Sequence, residues 1–332
     1  MTTYKDAGVD IDAANEGLER IKKHVSETFN KYTLSDIGSF GGCFNLPIND
    51  YKNPVLVSSV DGVGTKLLIA ALANTHDTIG QCLVNHCVND ILVIGAKPLF
   101  FLDYFAAGKL NNDILENAIK GFSKACKENG CVLIGGETAE MPGFYDDNKY
   151  DVSGTIVGIA ERDNMLPNRK TEDGNLLIGL YSNGLHTNGY SLARKVLLPK
   201  YNIGERIDRL GCSVDEELLK VHRSYLHVMT DILDKPWLRS LSHITGGGII
   251  ENTHRVLDKE QDLEIDWNSW EWPEIFKMIQ EDGNVSTEDM VRPFNLGIGL
   301  ILIIDKNHLQ ELDKHLKSQD EDYVVMGKVI SK

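Results

Sequence analysis

Positive charge is in short supply in this 332-residue chain: 34 Lys and Arg stand against 49 Asp and Glu, for a formal net charge of -15 and a pI near 5.1. Nucleic acid and anionic membrane surfaces both require a basic footprint, so neither is an expected partner. An anionic small molecule stays possible where Lys or Arg side chains, backbone N–H groups or a divalent cation meet its charge. No apolar run approaches the ~18 residues of a membrane span. Met1–Asp6 shows no basic stretch leading into an apolar one, and the expected location is the cytoplasm. Cys-x-x-Cys pairs are missing as well: Cys43, Cys82, Cys87, Cys126, Cys131 and Cys212 sit mostly in apolar segments and read as free thiols rather than disulfides or zinc ligands. Low-complexity tails and short-period repeats are absent.

What is present is length enough for two domains with substantial cores. The most informative stretch is Ser58-Ser59-Val60-Asp61-Gly62-Val63-Gly64-Thr65-Lys66-Leu67, after the apolar run Val55–Val57. Two glycines around one residue permit a tight turn that presents backbone N–H groups to an anion. Asp61 can hold a hard cation and Lys66 a phosphate. The stretch lacks P-loop spacing, because Lys66 follows Gly64-Thr65 and precedes a leucine. It also lacks the third glycine of a dinucleotide fingerprint, since Leu67 stands there. A metal-bound polyphosphate site and a plain strand-end turn both remain open on this stretch alone.

Upstream, Leu18, Ile21, Val25 and Phe29 recur at helical spacing, with Asp12 as the expected N-cap and Lys22 and Lys23 on a solvated flank. Ile37–Phe44 is a glycine-rich loop or bulged strand that either covers a ligand or simply turns. His76–Gly95 reads as a long helix in which His86 and Asp90 share a face, either as a structural pair or with Asp90 serving a metal. Pro98–Ala107 is a buried strand, about Asn112–Lys127 a helix stopped by Gly130, and Cys131–Ile134 a buried strand running into Gly135-Gly136-Glu137. Two glycines at a strand end followed by a carboxylate repeat the chemistry of the first loop. Glu137 therefore joins Asp61 and Asp90 as a third candidate acid around one cation, and all-oxygen donors beside phosphate suit Mg2+. Strand Val152–Ile159 closes the first half. The polar, aperiodic Arg162–Asn175 is the expected boundary, giving an N-terminal domain of 1–166 and a C-terminal domain of 172–332.

The second half opens with strand Leu176–Tyr181 and then Ser182-Asn183-Gly184-Leu185-His186-Thr187-Asn188-Gly189, two Asn-Gly pairs around a histidine before a helix whose N-terminus favours anions. Helical patterns run from about Asp215 to Leu233. The three consecutive glycines of His243-Ile244-Thr245-Gly246-Gly247-Gly248 are costly in entropy, so they point to close backbone approach to a ligand phosphate, with a flexible connector as the alternative. Trp267, Trp270 and Trp272 read as a packing cluster. A helix over about Pro273–Glu281, strand Gly297–Ile304, helix Lys306–Lys317 and strand Tyr323–Ile330 follow. Both halves alternate strands and helices, which predicts an α/β protein.

In order along one chain, Tyr4-Lys5-Asp6-Ala7-Gly8-Val9-Asp10-Ile11, Asp61–Leu67, Val88-Asn89-Asp90-Ile91, Gly135–Gly143 and His243–Gly248 resemble the phosphoribosylformylglycinamidine cyclo-ligase family, also called aminoimidazole ribonucleotide synthetases, over essentially the whole length. The wider ATP-binding superfamily includes selenophosphate synthetase, thiamine-phosphate kinase and a hydrogenase maturation factor. Gly41-Gly42-Cys43-Phe44 looks like the cyclo-ligase version of the segment that carries a reactive residue in selenophosphate synthetase. The resemblance implies a two-domain mixed α/β (α+β) fold, a homodimer whose N-terminal strands form a barrel across the interface, and ATP near that interface. It implies ATP-dependent ring closure of formylglycinamidine ribonucleotide in purine biosynthesis. Mg-ATP is then expected on Asp61, Asp90 and Glu137, with Gly62, Val63, Gly64, Thr65 and Lys66 cradling the phosphates. The expected catalytic set is Asp90, Lys22, which by resemblance reaches the phosphates, and His186, which handles a proton or stabilises the phosphorylated oxygen. Thr245, Gly246, Gly247 and Gly248 are expected near the substrate's ribose phosphate. A superfamily kinase or synthetase with another acceptor and a non-catalytic nucleotide-binding homodimer are the alternatives.

Overall fold

Alternating burial and helical apolar stripes organise the chain into two compact units in the computed structural model, which describes residues 8–332. Tyr4–Ala7, part of the N-terminal stretch singled out above, lie outside the described residues. The first unit comprises the chain up to Ile91 together with Lys97–Ile159; the second comprises Leu92–Ala96 and Ala160–Lys332.

The elements of the first unit are α1 (Ile11–Ser26), β1 (Pro54–Gly62), α2 (Lys66–Ala73), α3 (Asp77–Leu92), β2 (Lys97–Ala107), α4 (Asn112–Glu128), β3 (Val132–Glu140) and β4 (Tyr150–Glu161). Its four strands lie in the order β1-β4-β2-β3, with β2 antiparallel to β4 and parallel to β3. The N-cap of α1 is Asp10, whose carboxylate accepts from the Ala13 N–H at 3.2 Å; Asp12, the expected cap, sits in the first turn instead. On β2, Leu99, Phe101, Asp103 and Phe105 are buried, and Phe101 packs against Phe122 of α4. The alternate residue Tyr104 is exposed on the opposite face. β3 does not stop at Ile134. Parallel pairing of Leu102 with Gly135, Asp103 with Gly136 and Tyr104 with Glu137 carries the strand through both glycines, so Glu137 is a strand residue and not part of a strand-end loop.

The second unit contains β5 (Leu176–Tyr181), α5 (Tyr190–Leu197), the short pair β6 (Arg206–Ile207) and β7 (Cys212–Ser213), α6 (Val214–Leu218), α7 (Leu226–Thr230), β8 (Leu238–His243), α8 (Gly248–His254), β9 (Gln261–Ile265), α9 (Glu274–Gly283), α10 (Thr287–Val291), β10 (Ile298–Ile304), α11 (Leu309–Ser318) and β11 (Tyr323–Ser331). Its five-stranded sheet, β8-β10-β5-β11-β9, is antiparallel throughout. Every residue of β10 is buried, as its uninterrupted apolar run requires of a strand covered on both faces. Trp270 enters the core beside Ile298 and Met326, its indole N–H donating to the Leu296 carbonyl at 2.9 Å. The expected helix over Asp215–Leu233 resolves into two five-residue helices, α6 opened by a capping box between Ser213 and Glu216. All six cysteines are free thiols.

Candidate active site

In the first unit, β1 delivers Asp61 to the side of α3, where His86 and Asp90 lie one turn apart. His86 Nε2 is 2.9 Å from Asp61 Oδ2 and 3.9 Å from Asp90 Oδ2, and Ser59, two residues before Asp61 on the same strand face, donates its hydroxyl to Asp90 at 2.9 Å. Burial on its own would push the Asp61 carboxyl up; the His86 hydrogen bond and charge, with the Gly62 N–H, outweigh it and hold the group below the usual carboxylate range. For His86, burial acts to lower the pKa, and the bond to Asp61 together with the Asp90 and Asp61 charges raises it. The donor set fits a hard divalent cation: two carboxylates, one kept ionised, near the same imidazole nitrogen. The His86–Asp90 pair and the grouping of Asp61 with Asp90 were both expected from the sequence; the contact of Asp61 with His86 was not.

The loop after β1 behaves less like a phosphate cradle than its glycines suggested. Gly64 takes φ +54°, the left-handed turn expected of it. The Gly62 N–H is engaged by Asp61 Oδ1 at 2.6 Å. Lys66 begins α2 and, instead of facing out of the loop, is fully buried with its ammonium donating to Cys82 Sγ at 3.1 Å; burial lowers its pKa. Lys22 stands on the exposed flank of α1, paired with Glu19.

Glu137 does not join Asp61 and Asp90. β1 and β3 are opposite edges of the sheet, separated by three strand intervals of about 4.8 Å, roughly 14 Å in all. One cation within a single chain therefore cannot draw on all three acids.

In the second unit, the loop after β5 holds His186 in the left-handed region, φ +61°, fully buried. Its Nε2 accepts from the Asn183 N–H at 3.0 Å, which places the ring proton of a neutral imidazole on Nδ1. His186 stacks on His222 with centroids 4.0 Å apart, and His222 Nε2 lies 3.0 Å from His243 Nε2 at the end of β8. The three-glycine loop comes to the same place: a Cβ on Gly246 would sit 3.1 Å from Asn188 Oδ1. Gly248 has a packing reason of its own. Its φ is +62° and a Cβ there would stand 2.0 Å from the Val291 carbonyl oxygen. Gly248→Ala is therefore expected to cost more than about 2 kcal/mol, read as a lower urea midpoint; an unchanged midpoint would mean that the glycine serves a ligand alone.

Two family models cover most of the chain: the AIR synthase related protein N-terminal domain over residues 46–160 and its C-terminal domain over 172–332. A phosphoribosylformylglycinamidine cyclo-ligase from Citrifermentans bemidjiense is 49% identical over 98% of this chain and 94% of its own length. One from Bacillus cereus is 46% identical over 98% and 95%. The chain belongs to the phosphoribosylformylglycinamidine cyclo-ligase family. Among solved structures, a thiamine-monophosphate kinase from Stenotrophomonas maltophilia shares the cyclo-ligase chain's fold with a TM-score of 0.70 at 16% identity, covering 95% of this chain and 93% of that one. A hydrogenase maturation protein in complex with ATP follows at 0.62 and 18%, covering 95% and 84%. In this family member Ser59 and Asn188 stand in stretches that the sequence singles out without assigning them roles, and His222 lies outside every such stretch. Ser59 was recoverable from strand alternation with Asp61. His222 carries no local signal, because its place beside His186 is made by tertiary packing between loops 36 positions apart in the chain.

Proposed function

We propose that this chain closes formylglycinamidine ribonucleotide to aminoimidazole ribonucleotide, converting ATP to ADP and phosphate, as a cytoplasmic C–N bond-forming ligase of purine biosynthesis. The observation that carries this reading is the likeness to proteins named as cyclo-ligases over nearly the full chain. The chemical obstacle is an amide oxygen that leaves poorly. Transfer of the γ-phosphoryl group to the formyl oxygen gives an imino-phosphate; attack of the amine on the same carbon then expels phosphate and closes the ring.

Such a transfer asks the protein for positioning and charge neutralisation. Asp61 and Asp90 would hold Mg2+, with Ser59 fixing Asp90 and His86 fixing Asp61. When bound, the ion supplies counter-charge for the triphosphate. The N–H groups of Val63, Gly64 and Thr65 would face the phosphates, and the role of Lys22 toward them rests on the family resemblance. Lys66 supports the loop from beneath. Glu137 serves a different part of the nucleotide site. His186, buried against His222, is assigned to proton handling or to stabilising the phosphorylated oxygen by the family resemblance, and Thr245–Gly248 beside its loop to the ribose phosphate. Homodimerisation through the first sheet is supported by Leu56, Val60 and Tyr104, which stand exposed on the face turned away from the helices.

His186→Ala is expected to lower kcat on the order of a hundredfold and to leave ATP affinity within about threefold; a loss of affinity with kcat intact would make His186 a binding residue. ATP binding without substrate-dependent ADP release would favour a non-catalytic nucleotide-binding dimer.

A further inference from the structure

At φ +61° the backbone of His186 lies in the left-handed region, a conformation that a histidine keeps only where its surroundings fix it. The edge of its ring is accounted for. Nε2 accepts from the Asn183 N–H at 3.0 Å, and the Arg223 N–H lies 3.5 Å from the same nitrogen. Gly299 leaves room beside the ring, since a Cβ there would stand 2.6 Å from His186 Cε1. The face is covered by His222, whose ring centroid is 4.0 Å away and whose plane is inclined by only 20°.

His222 is in turn tied at both nitrogens. Nδ1 lies 3.3 Å from the hydroxyl of Thr187, the residue after His186, and Nε2 lies 3.0 Å from His243 Nε2. His243 ends β8, where it pairs with Leu300 of β10. A buried path of three side chains therefore runs from the sheet through His222 to the His186 loop. A hydrocarbon ring at 222 could stack on His186 but not bridge Thr187 and His243; a small polar side chain could not cover the ring face. We propose that His222 is a positioning residue for the ring closure, fixing the plane of the His186 imidazole by stacking on it while its own nitrogens are held by Thr187 and the end of β8. The inference rests on the role given to His186 above and assigns His222 no contact with substrate. Its contribution is orientation, where a misplacement of about 1 Å can cost on the order of a hundredfold in rate.

Two measurements on the full chain test this, and the first needs no activity. Imidazole nitrogen NMR shifts are expected to show wild-type His186 as one tautomer, protonated on Nδ1, and to show its two nitrogens averaged in His222→Ala. The second is a double-mutant cycle in kcat with Mg-ATP and formylglycinamidine ribonucleotide. His222→Ala should lower kcat about thirtyfold with both KM values within about threefold, and His222→Gln, which keeps a flat hydrogen-bonding group, should recover most of the loss. In a His186→Ala background the same His222→Ala change should alter kcat by less than about threefold. His222→Leu, which fills the volume without a flat polar ring, takes the place of the alanine variant in both measurements if that chain does not fold. Equal losses in the two backgrounds overturn the proposal, as does a wild-type His186 whose nitrogens already average. A wild-type chain that shows the single tautomer but no turnover overturns the cyclo-ligase reading, while the tautomer contrast with the variant still decides whether His222 fixes the ring.

Discussion

Asp90→Asn is expected to cut Mg2+-dependent ADP formation on the order of a hundredfold or more while leaving the urea unfolding midpoint nearly unchanged. The substitution removes a charge and little else. Asp90 is partly exposed at the end of α3, and the amide oxygen of asparagine can still accept the Ser59 hydroxyl that now bonds Asp90 at 2.9 Å. What it cannot do is supply a second anionic oxygen beside Asp61, which a hard cation requires. Steady-state ADP release across a Mg2+ titration, run beside urea melts of both proteins, separates the outcomes. Near-wild-type turnover would make Asp90 a structural partner of Ser59 and remove it from the metal assignment. A large fall in midpoint would instead place its main role in the fold.

Gly121→Ala should have the largest effect on stability. α3 and α4 touch backbone to backbone where a Cβ on Gly121 would lie 2.0 Å from the Asp77 carbonyl oxygen and one on Gly80 would lie 2.3 Å from that of Ala118. Neither contact is with the end of a flexible side chain, so a methyl group at either position must force the helices apart. A cost above about 3 kcal/mol is expected, seen as a lower urea midpoint with little change in slope. Because α3 carries His86 and Asp90, the surviving folded fraction should also show weakened Mg2+ dependence. Wild-type stability for Gly121→Ala would contradict the close crossing.

The parts of the molecule that local pattern controls were legible. Leu176–Tyr181 is a strand with the limits its apolar run sets, and Asn112 begins a helix that Asn111 caps and that ends before Gly130. The His86–Asp90 relation follows from helical spacing alone. Other features depend on which elements become neighbours, and sequence order conceals that. Gly135-Gly136 reads as a strand end, yet the parallel partner β2 carries the strand through it, and Asp103 needs the missing side chain of Gly136. Glu137 repeats the glycine–acid pattern of Asp61, but the order β1-β4-β2-β3 sends the two to opposite edges. Lys66 resembles a phosphate ligand beside two glycines; the phase of α2 turns it inward with Leu67, Ile69 and Ala70. The histidine stack of His186 on His222 is a tertiary contact with no periodic trace.

Purified protein mixed with Mg-ATP and formylglycinamidine ribonucleotide, with ADP and aminoimidazole ribonucleotide followed together, tests the cyclo-ligase assignment most directly. The two products should appear in equal amounts and only when Mg2+ and the ribonucleotide are both present. ADP release without the imidazole, or no turnover by a folded protein that binds ATP, would contradict it.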